Sequence, residues 1–205
     1  MRIALFGGTF DPPHLGHVRI AAAAADHYSL DQVLFAPTGR QPLKTSAPIA
    51  HFADRLAMTA LACAADPRFA TTELDAPHPN GTPNYTIETL TALRRIHPDA
   101  ELLYIVGADS FLTLRRWLEP DRLLKLAGWI VISRPGSALH LAATDLAPLM
   151  LTPDQLAHVH LLTGLAEDIS STHIRDLLRS GGVLAASHLL PPAVAQYIDA
   201  QGLYR

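Results

Sequence analysis

The chain has 205 residues, enough for one large α/β domain over 1–205 and too few for two well-filled ones. Hydrophobic residues make up 49% and charged residues 17%, which permits a substantial core and argues against disorder. The formal net charge is −3, from 16 Lys and Arg against 19 Asp and Glu with no basic block, so a nucleic-acid-binding face is not expected.

Cys63 is the sole cysteine, which rules out a disulfide within the chain and a four-cysteine zinc site and fits a reducing cytoplasm. Residues 2–6 are in part apolar, β-branched or aromatic and break at Gly7-Gly8. They are too short for a signal peptide or a membrane span and read as a buried strand entering a tight turn. A cytoplasmic protein without a membrane partner is expected, with assembly into a homo-oligomer left open. A helix is predicted over 15–28, with the alanines of 21–25 as a small face against a sheet. A strand follows at 32–36. Residues 37–50, rich in Pro and Gly, form a loop long enough to suggest function. A helix over 51–65, a strand over 69–74, a loop over 75–84 and a helix over 86–97 come next, with Thr86 as candidate N-cap. The clearest buried strand is 102–106, closed by Gly107. Asp109 then opens a helix expected to carry Trp117. Further strands are predicted at 129–132 and 159–162, with 137–157 unassigned between them. Helices at 171–179, stopped by Gly181-Gly182, and at 193–201 complete the pattern. Alternating strands and helices imply a Rossmann-like, doubly wound parallel sheet with helices on both faces. Ligands then belong at the strand C-terminal edge.

The strongest chemical signal is Gly7-Gly8-Thr9-Phe10-Asp11-Pro12-Pro13-His14-Leu15-Gly16-His17. The glycines permit close approach of backbone to an anion, and the next helix aims free N–H groups and its positive end at the same place. His14 and His17, one turn apart, can face one phosphate, and Gly16 leaves room for a nucleotide. A glycine pair after a strand is often only a turn. Paired histidines can bind metal, but no third ligand is evident and the zinc-protease spacing is absent. Neither a Walker loop nor Gly-x-Gly-x-x-Gly is present.

This stretch resembles the signature of the His-x-Gly-His nucleotidyltransferase superfamily. The resemblance implies that His14 and His17 bind ATP phosphates and stabilise the transition state, with Gly7, Gly8, Thr9 and Phe10 around the nucleotide. A second segment, Ile169-Ser170-Ser171-Thr172-His173-Ile174-Arg175, reads first as a capped helix start with an arginine one turn in. It is similar to the second superfamily motif, which implies that Ser171, Thr172 and Arg175 also bind the triphosphate.

A third set, Asn84-Tyr85-Thr86, Gly107-Ala108-Asp109, Trp117 and the ending Gln201-Gly202-Leu203-Tyr204-Arg205, resembles the bacterial nicotinate-mononucleotide adenylyltransferases. Trp117 would then stack on a pyridine ring, Tyr85 and Thr86 hold the nicotinate carboxylate, and Asp109 after Gly107 contact a ribose. Lys44 and Arg40 are candidates for the mononucleotide phosphate, in a loop that has Leu43 where the family commonly has histidine. Arg134 sits after a strand at the ligand edge. The resemblance implies adenylyl transfer from ATP, with Mg²⁺ carried on its phosphates, to nicotinate mononucleotide. Another acceptor such as phosphopantetheine, a non-catalytic nucleotide-binding module and a metal-dependent hydrolase are the alternatives.

Overall fold

The computed structural model describes residues 1–43, 46–133, 146–164 and 169–205. Lys44, Arg134 and residues 137–145 of the unassigned 137–157 stretch therefore lie outside the described residues. The sheet has six strands, β1 (Arg2–Gly8), β2 (Gln32–Pro37), β3 (Phe69–Thr71), β4 (Glu101–Gly107), β5 (Gly128–Ile132) and β6 (Val159–Leu162). Their spatial order is β3-β2-β1-β4-β5-β6, and every pairing is parallel.

Parallel strands are covered on both faces, which explains why β1, β2 and β4 read as apolar runs rather than alternating ones. Ile3 and Leu5 of β1 point into one layer with Tyr104 and Trp129; Ala4 and Phe6 point into the other with Phe35 and Ile105. Each fully buried Leu, Ile or Phe contributes about 1.5–3 kcal/mol relative to exposure. Helix α1 (Leu15–His27) packs Ala21, Ala24 and Ala25 into the second layer, as its small face requires. Helices α2 (Phe52–Cys63), α7 (Ser171–Ala186) and α8 (Pro192–Gln201) share a further cluster around Met58, Ile174 and Ile198. Helix α3 (Thr86–Ile96) closes the first layer with α5 (Pro120–Leu126). Between them lies the single turn α4 (Ala108–Phe111).

The order puts β2 on one side of β1 and β4 on the other, so the direction in which successive crossovers move along the sheet reverses between β1 and β4. Their C-terminal ends, Gly8 and Gly107, flank the crevice where open α/β sheets bind ligands.

Several boundaries differ from the sequence reading. Strand β3 ends at Thr71, because Thr72 Oγ1 accepts from the Leu74 N–H and Ala76 N–H bonds to the Glu73 carbonyl, turning the chain. Thr86 is the first helical residue, and Tyr85 holds the cap position. Gly107, not Asp109, precedes α4. Trp117 is not helical. The Thr113 hydroxyl bonds to the Ser110 carbonyl, a short 3₁₀ turn covers Leu114–Arg116, and Trp117 is extended ahead of Pro120. Helix α7 begins after Ser170, whose Oγ accepts from the His173 N–H at 3.2 Å; its first stretch breaks at Gly182, which is non-helical at φ 66°, and a second helical stretch runs on to Ala186. Within 146–157, a short helix α6 (Pro153–Ala157) starts from a capping box between Thr152 and Gln155.

Candidate active site

Residues 9–14 link β1 to α1 across its first turn. Phe10 sits there at φ 48°, 2% exposed, with its ring edge-on to Phe6 and to His17, whose centroid lies 4.9 Å away. A left-handed phenylalanine costs roughly 1–3 kcal/mol and persists only where its surroundings over-determine it. Here the aromatic packing does so. The Asp11–Pro12 peptide is cis.

His14 and His17 are stacked, with ring centroids 3.7 Å apart and planes 26° apart. The backbone N–H of His14 donates to His17 Nδ1 at 3.2 Å. An accepting Nδ1 leaves the His17 proton on Nε2, so the far side of that ring is a donor. The glycines are also required by the chain's own packing. A Cβ on Gly7 would fall 2.5 Å from the Tyr104 hydroxyl, and one on Gly8 2.9 Å from the Phe10 ring. On Gly16 it would crowd His14 Nδ1 at 3.0 Å and Ile169 Cβ at 3.4 Å. The room that Gly16 leaves is thus taken by the chain's own imidazole and by the start of the second motif.

That second motif reaches the first directly. Arg175 Nη1 donates to the Asp11 carbonyl at 2.7 Å, and Ser171 Oγ to the Pro12 carbonyl at 2.9 Å. Arg175 Nη2 bonds to Thr172 Oγ1 at 3.1 Å, while its buried Nε has no hydrogen-bond partner among the described residues. The two ends of the sequence meet within one loop, with Gly7, Gly8, Thr9, Phe10, His14, His17, Ser171 and Arg175 gathered at the end of β1; Thr172 stands exposed at its edge.

Arg55 was not anticipated. It is 2% exposed, with Nη1 donating to the Thr9 carbonyl at 2.6 Å and its guanidinium 5.5 Å from the Phe52 ring. Burial pulls its guanidinium below the ordinary arginine range, opposed by the nearby Asp11 carboxylate. An arginine on the same face of α2 as Met58 and Ala62 was the available signal.

The other half of the crevice centres on Tyr104. Its hydroxyl bonds to Thr86, and burial pushes it well above the usual phenol range. Trp117 stands edge-on to Tyr104 at 6.2 Å and to Trp129 at 6.0 Å, and its Nε1 donates to Thr113 Oγ1 at 3.1 Å. Tyr85 packs against the same cluster. Gly107 ends β4 and exposed Asp109 follows it at the crevice edge. Asn84 ties two loops together: its Oδ1 accepts from the Arg40 N–H at 2.9 Å and its Nδ2 donates to the Ala76 carbonyl at 2.7 Å. Arg40 Nη1 donates to the Gly81 carbonyl at 2.7 Å. Asp75 is buried beneath, accepting from the Thr89 hydroxyl at 2.9 Å, and burial raises its carboxyl above the usual range. A cavity of about 390 Å³ opens between the halves, lined by Thr9, Thr38, Gly39, Arg40, Gln41 and Pro48 among others.

Among the described residues no group of three His, Cys, Asp or Glu side chains could hold a metal ion, and no helix is long and apolar enough to cross a membrane. A protein cage for Mg²⁺ is thus not offered by these residues.

Residues 5–177 match the cytidylyltransferase-like family. The chain is 40% identical over 205 residues to a probable nicotinate-nucleotide adenylyltransferase of Thermus thermophilus, covering 100% of both chains. It is 41% identical over 203 residues to one of Neisseria gonorrhoeae, covering 99% of this chain and 98% of that one. The fold is that of the Plasmodium falciparum nicotinic acid mononucleotide adenylyltransferase complexed with NaAD, with a TM-score of 0.74 at 17% identity, covering 99% of this chain and 97% of that one. Sheet order, motif and full-length similarity agree, and the chain belongs to the cytidylyltransferase-like family, among its nicotinate-nucleotide adenylyltransferases.

Proposed function

We propose that the protein transfers the adenylyl group of ATP to nicotinate mononucleotide, giving deamido-NAD and pyrophosphate in NAD biosynthesis. The observation that carries the reading is the donation by Arg175 and Ser171 into the Asp11 and Pro12 carbonyls, beside His14. The names of the full-length relatives supply the acceptor.

An oxygen of the mononucleotide 5′-phosphate bonds to the α-phosphorus of ATP, in line with the breaking bond to the bridging oxygen, whose electron pair leaves with pyrophosphate. The second pKa of a phosphate monoester is about 6, so the attacking group is already an anion and needs no general base. The barrier lies in bringing anions together and in the charge of the leaving group, and fixed positive groups lower it. His17 donates from Nε2, the tautomer set by the His14 N–H. His14 is stacked beside it. Arg175 adds a permanent cation, and the first amides of α1 and α7 point at the same anion. Gly7, Gly8, Thr9, Phe10, Ser171 and Thr172 line the ATP side. Mg²⁺, bound through the ATP phosphates, supplies charge neutralisation there.

On the acceptor side Trp117 stacks on the pyridine, Tyr85 and Thr86 hold its carboxylate, and Asp109 after Gly107 contacts a ribose. Arg40 and, from the sequence alone, Lys44 and Arg134 meet the mononucleotide phosphate. The enzyme works in the cytoplasm as a single domain over 1–205.

The test offers purified protein ATP and Mg²⁺ with nicotinate mononucleotide, its amide or phosphopantetheine in turn, and follows pyrophosphate. Release with nicotinate mononucleotide is expected. Release with phosphopantetheine alone moves the chain to another branch, and none with any acceptor leaves a binding module.

A further inference from the structure

Tyr204 lies beyond α8, in a segment that the reaction above does not use. It is 6% exposed, and its backbone is left-handed at φ 63°. Its hydroxyl donates to Asp11 Oδ1 at 2.8 Å. Asp11 is itself 4% exposed, and its oxygens hold three separate segments. Oδ1 also accepts from the Ala50 N–H at 3.1 Å, Oδ2 accepts from the Ile49 N–H at 2.7 Å, and the backbone carbonyl accepts from Arg175 at 2.7 Å. Residues 49–50 follow Pro48, which lines the cavity between the two halves of the crevice. One carboxylate therefore joins the phosphate loop, the rim of the acceptor cavity and the segment after α8.

Both residues at this junction carry unusual backbone. Phe10, next to Asp11, and Tyr204 are left-handed without being glycine. Such conformations persist where surrounding contacts over-determine them, and they concentrate where geometry must be held. A hydroxyl donated to a buried carboxylate is a charge-assisted bond of that kind. Asp11 is not aimed at substrate through its side chain, since both oxygens are engaged within the chain. Its use is to hold the loop.

Resting on the adenylyl-transfer reading, we propose that Tyr204 is a positioning residue for the reaction. Its hydroxyl fixes Asp11, and Asp11 sets the phosphate loop and Arg175 in register with the cavity rim. Misplacement of reacting groups by a fraction of an ångström is costly in turnover, whereas the loss of one hydroxyl far from substrate costs binding little.

Tyr197 supplies the matched control. It stands on α8, and its hydroxyl donates to Asp54 Oδ1 at 2.9 Å, a like bond away from the phosphate loop. Tyr204→Phe is expected to lower kcat about tenfold with a KM for ATP within about twofold of native. Tyr197→Phe, with a comparable loss of melting temperature, is expected to keep native kcat. Restoring the hydroxyl as 3-fluorotyrosine at 204 should return kcat. Native kcat in Tyr204→Phe, or an equal loss in Tyr197→Phe, overturns the proposal while leaving adenylyl transfer standing. Absence of pyrophosphate release by the native enzyme overturns the reading beneath it instead. Should Tyr204→Phe not fold, 4-fluorophenylalanine at 204 fills the same space without the donor: kcat about tenfold below native is expected, and native kcat overturns the proposal.

Discussion

The two sides of the crevice are held by different kinds of contact. On the phosphate side, two bonds span most of the sequence, from Arg175 to Asp11 and from Ser171 to Pro12, and Arg55 of α2 reaches Thr9. On the acceptor side, Asn84 reaches Ala76 and Arg40, Thr89 of α3 reaches Asp75, and Trp117 bonds to Thr113, none of them across more than 44 residues. The phosphate side needs α7 docked against the loop after β1. The acceptor side is loop geometry resting on the Tyr104 ring. Preorganisation at the reacting phosphorus thus depends on global folding, and acceptor choice on local loops, which can vary without disturbing the reacting end.

The largest expected effect is on the phosphate side. His17→Ala should lower kcat by roughly 10²–10³ with little change in acceptor KM, measured by pyrophosphate release. Turnover near native would remove His17 from the transition state. On the acceptor side the signature should be reversed. Trp117→Ala should raise the KM for nicotinate mononucleotide about fivefold, from the loss of roughly 1 kcal/mol of ring stacking, and leave kcat near native. An unchanged KM would break the division between the two sides.

A smaller effect concerns Asp75, beneath the acceptor loops. Burial raises its carboxyl in the folded protein, so the native state binds a proton where the unfolded chain has released it. Its contribution to stability is present below the unfolded value of about 3.9 and is lost as pH rises through the folded value. Asp75→Asn should therefore gain melting temperature relative to native as pH is raised from about 4 to 7. A constant or shrinking difference would contradict a buried, destabilising carboxylate. The smallest effect is chemical. Cys63 is 5% exposed, and burial pushes its thiol up to about 12, so alkylation at pH 8 should wait for denaturant.

What the sequence made legible follows the same division. Residues 7–17 could be read because strand, loop and helix start are contiguous there, and both imidazoles fall within one turn. The parallel sheet could be read from the run of buried apolar strands. Arg175 was reached through resemblance, since no local pattern says that residues 171–175 fold back on Asp11. Arg55, Tyr104 and the Asp11–Tyr204 bond were missed as site residues because their partners are set by tertiary packing. That Gly7, Gly8 and Gly16 also make room for Tyr104, Phe10 and His14 is invisible in the sequence, because those neighbours are brought in by the fold. The helix through Trp117 was overread, because the Thr113 hydroxyl and Pro120 break the pattern into a 3₁₀ turn and an extended residue.

The most direct measurement is a crystal structure of the protein with ATP and Mg²⁺. The triphosphate is predicted to lie across His14 and His17, with His17 Nε2 and the Arg175 guanidinium both within hydrogen-bond reach of phosphate oxygens. A triphosphate seated against Trp117 and Tyr85 instead, with Arg175 still bonded only to Asp11 and Thr172, would contradict it.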